Sequence, residues 1–121
     1  MTLAIQTREV VYQDKDGHQL IGYFAAPENA QAVAGVLVSP EWWGRNEYTE
    51  QRVRELAEHG YAALAIDMYG DKKFTTDASQ AYAWMMDTFK NANTIVNRAT
   101  AALEILAAQP EVDSNRVAAI G

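Results

Sequence analysis

The stretch Glu41-Trp42-Trp43-Gly44 holds the residue types that could do chemistry. It follows the apolar run Val33-Ala-Gly-Val-Leu-Val38 and the break Ser39-Pro40. An ionised acid beside bulky aromatics is costly to bury unless a partner neutralises it. In such surroundings a carboxyl group can have its pKa tuned, which suits it to take or return a proton. The plainer reading is a Glu41 that points into solvent from a surface loop. A second acid–aromatic pair, Asp67-Met-Tyr69-Gly70, follows the next apolar run, residues 61–66.

Other chemistries are thinly represented. The chain has no cysteine, which removes disulfides, thiolate metal sites and a cysteine nucleophile from these residues. His18 and His59 lie far apart, and neither is read as having acids at ligand spacing, so no metal and no cofactor are expected. The net charge of −6 comes without a basic patch, which argues against nucleic acid and anionic membrane surfaces as partners. The N-terminus lacks a basic segment followed by a long apolar core, and no apolar run reaches membrane-spanning length. The cytoplasm is the simplest expectation for its location.

The elements that must position Glu41 and Asp67 follow from periodicity. With 121 residues, 49% of them apolar, the chain is sized for one packed domain. Residues 8–13 and 19–25 flank Asp14-Lys-Asp-Gly17, a hairpin signal with Gly17 suited to positive φ. The runs at 35–39 and 61–66 read as strands buried on both faces. Asn46 caps a helix to about His59, with Tyr48, Val53, Leu56 and Ala57 as its apolar stripe and Gly60 closing it. Asp77 caps a second helix whose stripe of Ala78, Ala81, Tyr82, Met85, Met86 and Phe89 is expected to pack in the core. A polar break near Asn91–Asn93 separates that helix from a further periodic segment, Ile95 to Leu106, or kinks one helix running through both, and the segment stops before Pro110. Asp113-Ser-Asn-Arg116 reads as a turn before a last buried strand, Val117 to Ile120. The expected fold class is α/β: a mainly parallel sheet with an N-terminal antiparallel hairpin and helices on both faces. In such sheets ligands sit beyond the carboxyl ends of the strands, where Glu41, Trp42, Trp43, Asp67 and Tyr69 all fall.

The order and wording of several segments resemble the dienelactone hydrolase family of α/β hydrolases. They are the early Asp-Gly hairpin, Glu41-Trp-Trp-Gly44, Leu56-Ala-Glu-His-Gly-Tyr-Ala62, Ala65-Ile-Asp-Met-Tyr-Gly70, Gln109-Pro110 and Arg116-Val-Ala-Ala-Ile-Gly121. The resemblance implies that residues 1–121 form the N-terminal half of an α/β-hydrolase domain, a fold that needs roughly 200–250 residues. Gly121 would open the Gly-X-Cys/Ser-X-Gly-Gly turn, with the nucleophile, Asp and His of the triad beyond it. By the same resemblance Glu41 is the acid that assists the nucleophile, and the Trp42 backbone N–H is one oxyanion donor. Trp43 and Tyr69 would line the substrate pocket, while Asp67 would be structural, satisfying loop amides. Where dienelactone hydrolase has an arginine soon after the tyrosine, this chain has Asp71, Lys72 and Lys73. A lysine lacks the bidentate fork, so a less specialised small ester or lactone is the implied substrate.

The residues carry two further readings. One is a catalytically inactive α/β module whose exposed last strand is completed by self-association or by another chain. The other is a flavodoxin-like nucleotide-binding unit, disfavoured because Glu41 and two tryptophans stand where a phosphate needs backbone amides.

Overall fold

The computed structural model describes residues 3–121. Its elements run β1 (Ile5–Gln13), β2 (Gln19–Pro27), β3 (Val33–Val38), α1 (Glu47–Glu58), β4 (Ala62–Ala65), α2 (Ala78–Phe89), α3 (Ala92–Ala107) and β5 (Val112–Ile120). The sheet order is β1-β2-β4-β3-β5. Pairing is antiparallel between β1 and β2 and between β2 and β4, and parallel between β3 and its neighbours β4 and β5. The expected hairpin and parallel group are both there. Taken whole the sheet is mixed, because β2 runs against β4. The hairpin is also longer than its most apolar stretch, since Ile5, Gln6 and Thr7 pair with Pro27, Ala26 and Ala25.

The hairpin turn is built by Asp14. Its Oδ1 accepts the amides of Asp16 and His18, both at 2.9 Å, and Gly17 takes φ +87°.

Alternate strand residues face opposite sides of a pleated sheet. Phe24, Ala26, Leu37, Ala62 and Leu64 bury against Ala102 and Leu106 of α3. Their neighbours Ala25, Val36, Val38, Ala63 and Ala65 bury against Val53 and Ala57 of α1. Helices therefore cover both faces, and the two-sided burial explains why these strands read as unbroken apolar runs.

Three local expectations change. Along α1 the buried line is Thr49, Val53 and Ala57, four residues apart, and Tyr48 lies off it at 54% exposed. Asn46 caps this helix as expected, its side chain accepting the Thr49 amide at 3.2 Å. Along α2 the Met/aromatic stripe is not core. Tyr82, Met86 and Phe89 are exposed and Met85 is half-buried; of the expected stripe the helix buries Ala81, together with Thr88. The physical reason is placement: α2 packs on α3 rather than on the sheet. Finally, Asp113–Arg116 is an irregularity inside β5 rather than a turn before it. The register jumps from Val33↔Val112 to Gly35↔Val117, and the Asp113 carboxylate accepts the Asn115 amide at 3.0 Å. Beyond that bulge Ala118, Ala119 and Ile120 are exposed, because β5 is the sheet's edge.

Candidate active site at the carboxyl ends of the strands

The ends of three parallel strands are joined directly. The Ile66 amide donates to the Val38 carbonyl, and the Ser39 amide donates to the Ile120 carbonyl, both at 2.9 Å. The segments that follow β3, β4 and β5 therefore leave the sheet side by side.

After β3, residues 41–44 form a tight turn in which the Gly44 amide donates to the Glu41 carbonyl at 3.1 Å. Gly44 is at φ +96°, and a Cβ there would stand 2.2 Å from the Lys73 carbonyl oxygen. Only glycine allows this approach, so the turn is pressed onto the segment after β4. A bridge between Gly44 and Phe74, the Thr75 amide on the Trp43 carbonyl (2.9 Å) and the Arg45 amide on the Lys73 carbonyl (3.3 Å) complete the seam. Tyr69 adds a side-chain clamp, donating its hydroxyl to the Trp42 carbonyl at 2.8 Å. Burial pushes the Tyr69 phenol above its usual pKa, so it stays a donor at neutral pH.

The segment after β4 is organised by Asp67, which is completely buried. One of its oxygens accepts the amides of Ile21 (2.8 Å) and Lys72 (2.7 Å), and the other accepts that of Gly70 (3.0 Å). These bonds hold Gly70, Asp71 and Lys72 at φ +89°, +51° and +50°. With the Lys73 amide on the Gly70 carbonyl, this is a type I′ turn made from Asp-Lys in place of the usual Asn-Gly. The structural role expected of Asp67 is thus what its contacts describe.

Both segments are tied to the hairpin by charge. Arg45 is 5% exposed; it donates to the Ile21 carbonyl at 2.9 Å and to Glu9 at 2.7 Å, and lies 3.5 Å from Glu50. Glu9 also receives Lys72 at 3.1 Å. Bonds from Arg45 and Lys72 hold the Glu9 carboxyl below its usual range. Ile21 is gripped from both sides, its N–H by Asp67 and its C=O by Arg45. Nothing in the periodicity marks Arg45. Its signal was its place, a lone cation directly after a glycine turn and before a helix cap.

Against this frame the four expected site residues separate. Glu41 is exposed and lines a cleft of about 390 Å³ with Ser39, Tyr48, Arg52, Ile120 and Gly121. Trp42, on the same turn, sets its ring edge-on to Trp43 with centroids 5.2 Å apart. Trp43 turns to a different depression, shared with Tyr48 and Phe74. Tyr69 spends its hydroxyl on Trp42 and lays its ring 5.5 Å from that of Trp84, over a third depression. Lys72 is committed to Glu9, and Lys73 sits 5.2 Å over the Trp84 ring.

The histidine reading needs one correction. Asp14, Asp16 and His18 do bring ligand atoms within 4.8 Å of one another. Asp14, however, already accepts two backbone amides and the Arg98 guanidinium at 3.2 Å, so its oxygens are engaged in holding the hairpin turn against α3.

A family model described as the dienelactone hydrolase family matches residues 20–121. This chain belongs to the dienelactone hydrolase family. Among solved structures, one named m3DLH superposes with a TM-score of 0.91 at 40% identity, over 98% of this chain and 49% of that one. A dienelactone hydrolase-like promiscuous phosphotriesterase from metagenomic libraries gives the same figures. A Saccharolobus solfataricus protein named "Putative carboxymethylenebutenolidase" is 37% identical over 59 residues, 49% of this chain and 22% of that protein. The chain thus spans about half the length of the family structures it matches. Two further neighbours that share the fold, at 21% and 23% identity, are named as esterases. No helix among the described residues is long and apolar enough to cross a membrane.

Proposed function

We propose that the full-length protein hydrolyses small carboxylic esters or lactones, and that residues 1–121 supply the supporting half of its active site. The observation that carries this reading is the cleft in which the exposed Glu41 meets Gly121, the residue at the end of β5. A Cys or Ser presented two residues after Gly121 would enter beside that carboxylate. Glu41 then accepts the nucleophile's proton as its sulfur or oxygen bonds to the substrate carbonyl carbon. The carbonyl oxygen gains negative charge and is met by the Trp42 N–H. Collapse breaks the ester C–O bond, and the leaving alkoxide takes the proton that Glu41 holds. A water deprotonated by His then cleaves the acyl-enzyme to acid, the proton on His returning to the freed nucleophile. Trp43 and Tyr69 shape the pocket, Tyr69 by fixing the Trp42 carbonyl rather than by offering its hydroxyl to substrate. The reading needs no metal or cofactor and fits a cytoplasmic enzyme. The phosphotriesterase activity in a neighbour's name extends the set of test substrates to phosphate triesters.

The test has two arms. Residues 1–121 alone should give no burst of p-nitrophenol from p-nitrophenyl acetate, since nucleophile and base are absent. The full-length protein should turn the ester over. Stoichiometric acylation of the 121-residue chain would overturn the division of labour.

The exposed edge of β5 favours a second reading, an inactive module completed by self-association or by another chain. Sedimentation with hydrogen exchange separates the two. A monomer strongly protected at Val117–Ile120 rules out completion by a partner.

A further inference from the structure

Trp43, Tyr48 and Phe74 come from three different segments: the turn after β3, the first turn of α1, and the strand-like stretch after the type I′ turn. They line one groove of about 360 Å³ together with Thr75 and Thr76. The groove is built, because the Gly44–Phe74 bridge and the Thr75–Trp43 hydrogen bond fix its two walls. Its aromatics are nonetheless left in water, with Phe74 58% and Tyr48 54% exposed. Exposed rings on a fixed frame are surface that an apolar ligand would cover. The groove neighbours the cleft of Glu41 and Gly121, since Tyr48 lines both.

Charge narrows the occupant. Glu47 is the single charge among the lining residues, and it is already paired with Arg54. A carboxylate arm would lose water here and gain no cationic partner, which is costly. An uncharged ring or alkyl chain would meet the aromatic side chains of Trp43, Tyr48 and Phe74.

We infer that the Trp43–Tyr48–Phe74 groove binds the uncharged aryl or alkyl arm of the ester, while its reacting carbonyl lies across Tyr48 at Glu41. This rests on the hydrolase reading for the identity of the ligand, and makes Tyr48 and Phe74 specificity-determining residues. It selects neutral, apolar-armed esters over those carrying a carboxylate.

The test is a binding titration of the full-length protein, with tryptophan and phenylalanine labelled for nuclear magnetic resonance. The probe is acetanilide, a neutral aryl amide that resists hydrolysis. The Trp43 indole and Phe74 amide signals should shift saturably, while N-methylacetamide, which lacks the ring, leaves them in place. Benzoate should bind about tenfold more weakly or not at all. Phe74→Ala should weaken acetanilide about tenfold, and Thr76→Trp, which fills the groove while keeping every aromatic, should abolish binding. Phe74 is exposed in residues 1–121, and the melting temperature of each variant, taken on the same sample, checks that its fold is kept. Shifts centred on Trp84, equal binding of benzoate, or an unchanged affinity in both variants would each overturn the inference. None of these readouts requires turnover. A failed groove therefore leaves the hydrolase reading standing, and an inactive enzyme with an intact titration leaves the groove standing.

Discussion

Glu41 and Asp67 stand just past the ends of adjacent parallel strands, yet the chain treats them in opposite ways. Asp67 is fully buried and accepts three backbone amides. Glu41 is exposed, in a cleft that opens at the end of β5. Asp67 builds the frame and Glu41 is left available. A buried carboxylate whose oxygens are occupied by amides cannot take a proton from a substrate group without dismantling a turn. An exposed one held on a rigid turn can, which is the ground on which we propose Glu41 as the proton acceptor.

The strongest way to break the comparison is to remove the framing acid. Asp67→Ala would strand the amides of Ile21, Gly70 and Lys72 in a dry site and cost roughly 3–5 kcal/mol, read by urea unfolding. A loss under about 1 kcal/mol would mean the three bonds contribute little. Next is the glycine that presses the two segments together. Gly44→Ala puts a Cβ onto the Lys73 carbonyl at positive φ and should cost roughly 2–4 kcal/mol.

A third acid sharpens the contrast through pH. Glu111 accepts both ends of the Arg8 guanidinium, at 2.8 and 2.9 Å, and these bonds hold its carboxyl below the usual range. Its folded pKa is lower than its unfolded one. The stability it adds is therefore present above the unfolded value and lost as pH falls through the folded one. Arg8→Met should lower stability by roughly 1–2 kcal/mol at neutral pH and flatten the acid limb of the melting-temperature profile. An unchanged limb would assign the acid sensitivity to other carboxylates. Smaller again is Tyr69→Phe, which removes one hydrogen bond to the Trp42 carbonyl and should cost about 1 kcal/mol. Hydrogen exchange at the Thr75 amide should quicken in the same variant, because the seam that Tyr69 clamps includes that bond.

What the sequence disclosed follows from how local each feature is. Asn46 and Asp77 cap their helices with their own side chains, so two helix starts were visible in the residues around them, while Asn91 caps the third where only a polar break could be read. The central strands announced themselves because both their faces are buried. The face of α2 could not be read in the same way. Tyr82, Met86 and Phe89 have core-like types at core-like spacing, but the helix they lie on is not on the sheet. Periodicity reports an apolar face and cannot say what covers it. The site was half legible for the same reason. Glu41 and Trp42 share one turn and could be named together, whereas Arg45, Tyr48 and Phe74 matter through contacts with segments distant in sequence. The Asp71-Lys72 turn was hidden because two ordinary residues adopt left-handed backbone only under the hold of Asp67.

Glu41→Gln in the full-length protein tests the account most directly, with kcat/KM for phenyl acetate and the melting temperature measured on the same sample. A free, reaction-bearing acid predicts a loss of activity of about 100-fold with stability within about 0.5 kcal/mol of the parent. Unchanged kcat/KM would contradict the role given to Glu41, and a large loss of stability would show that it belongs with Asp67 in the frame.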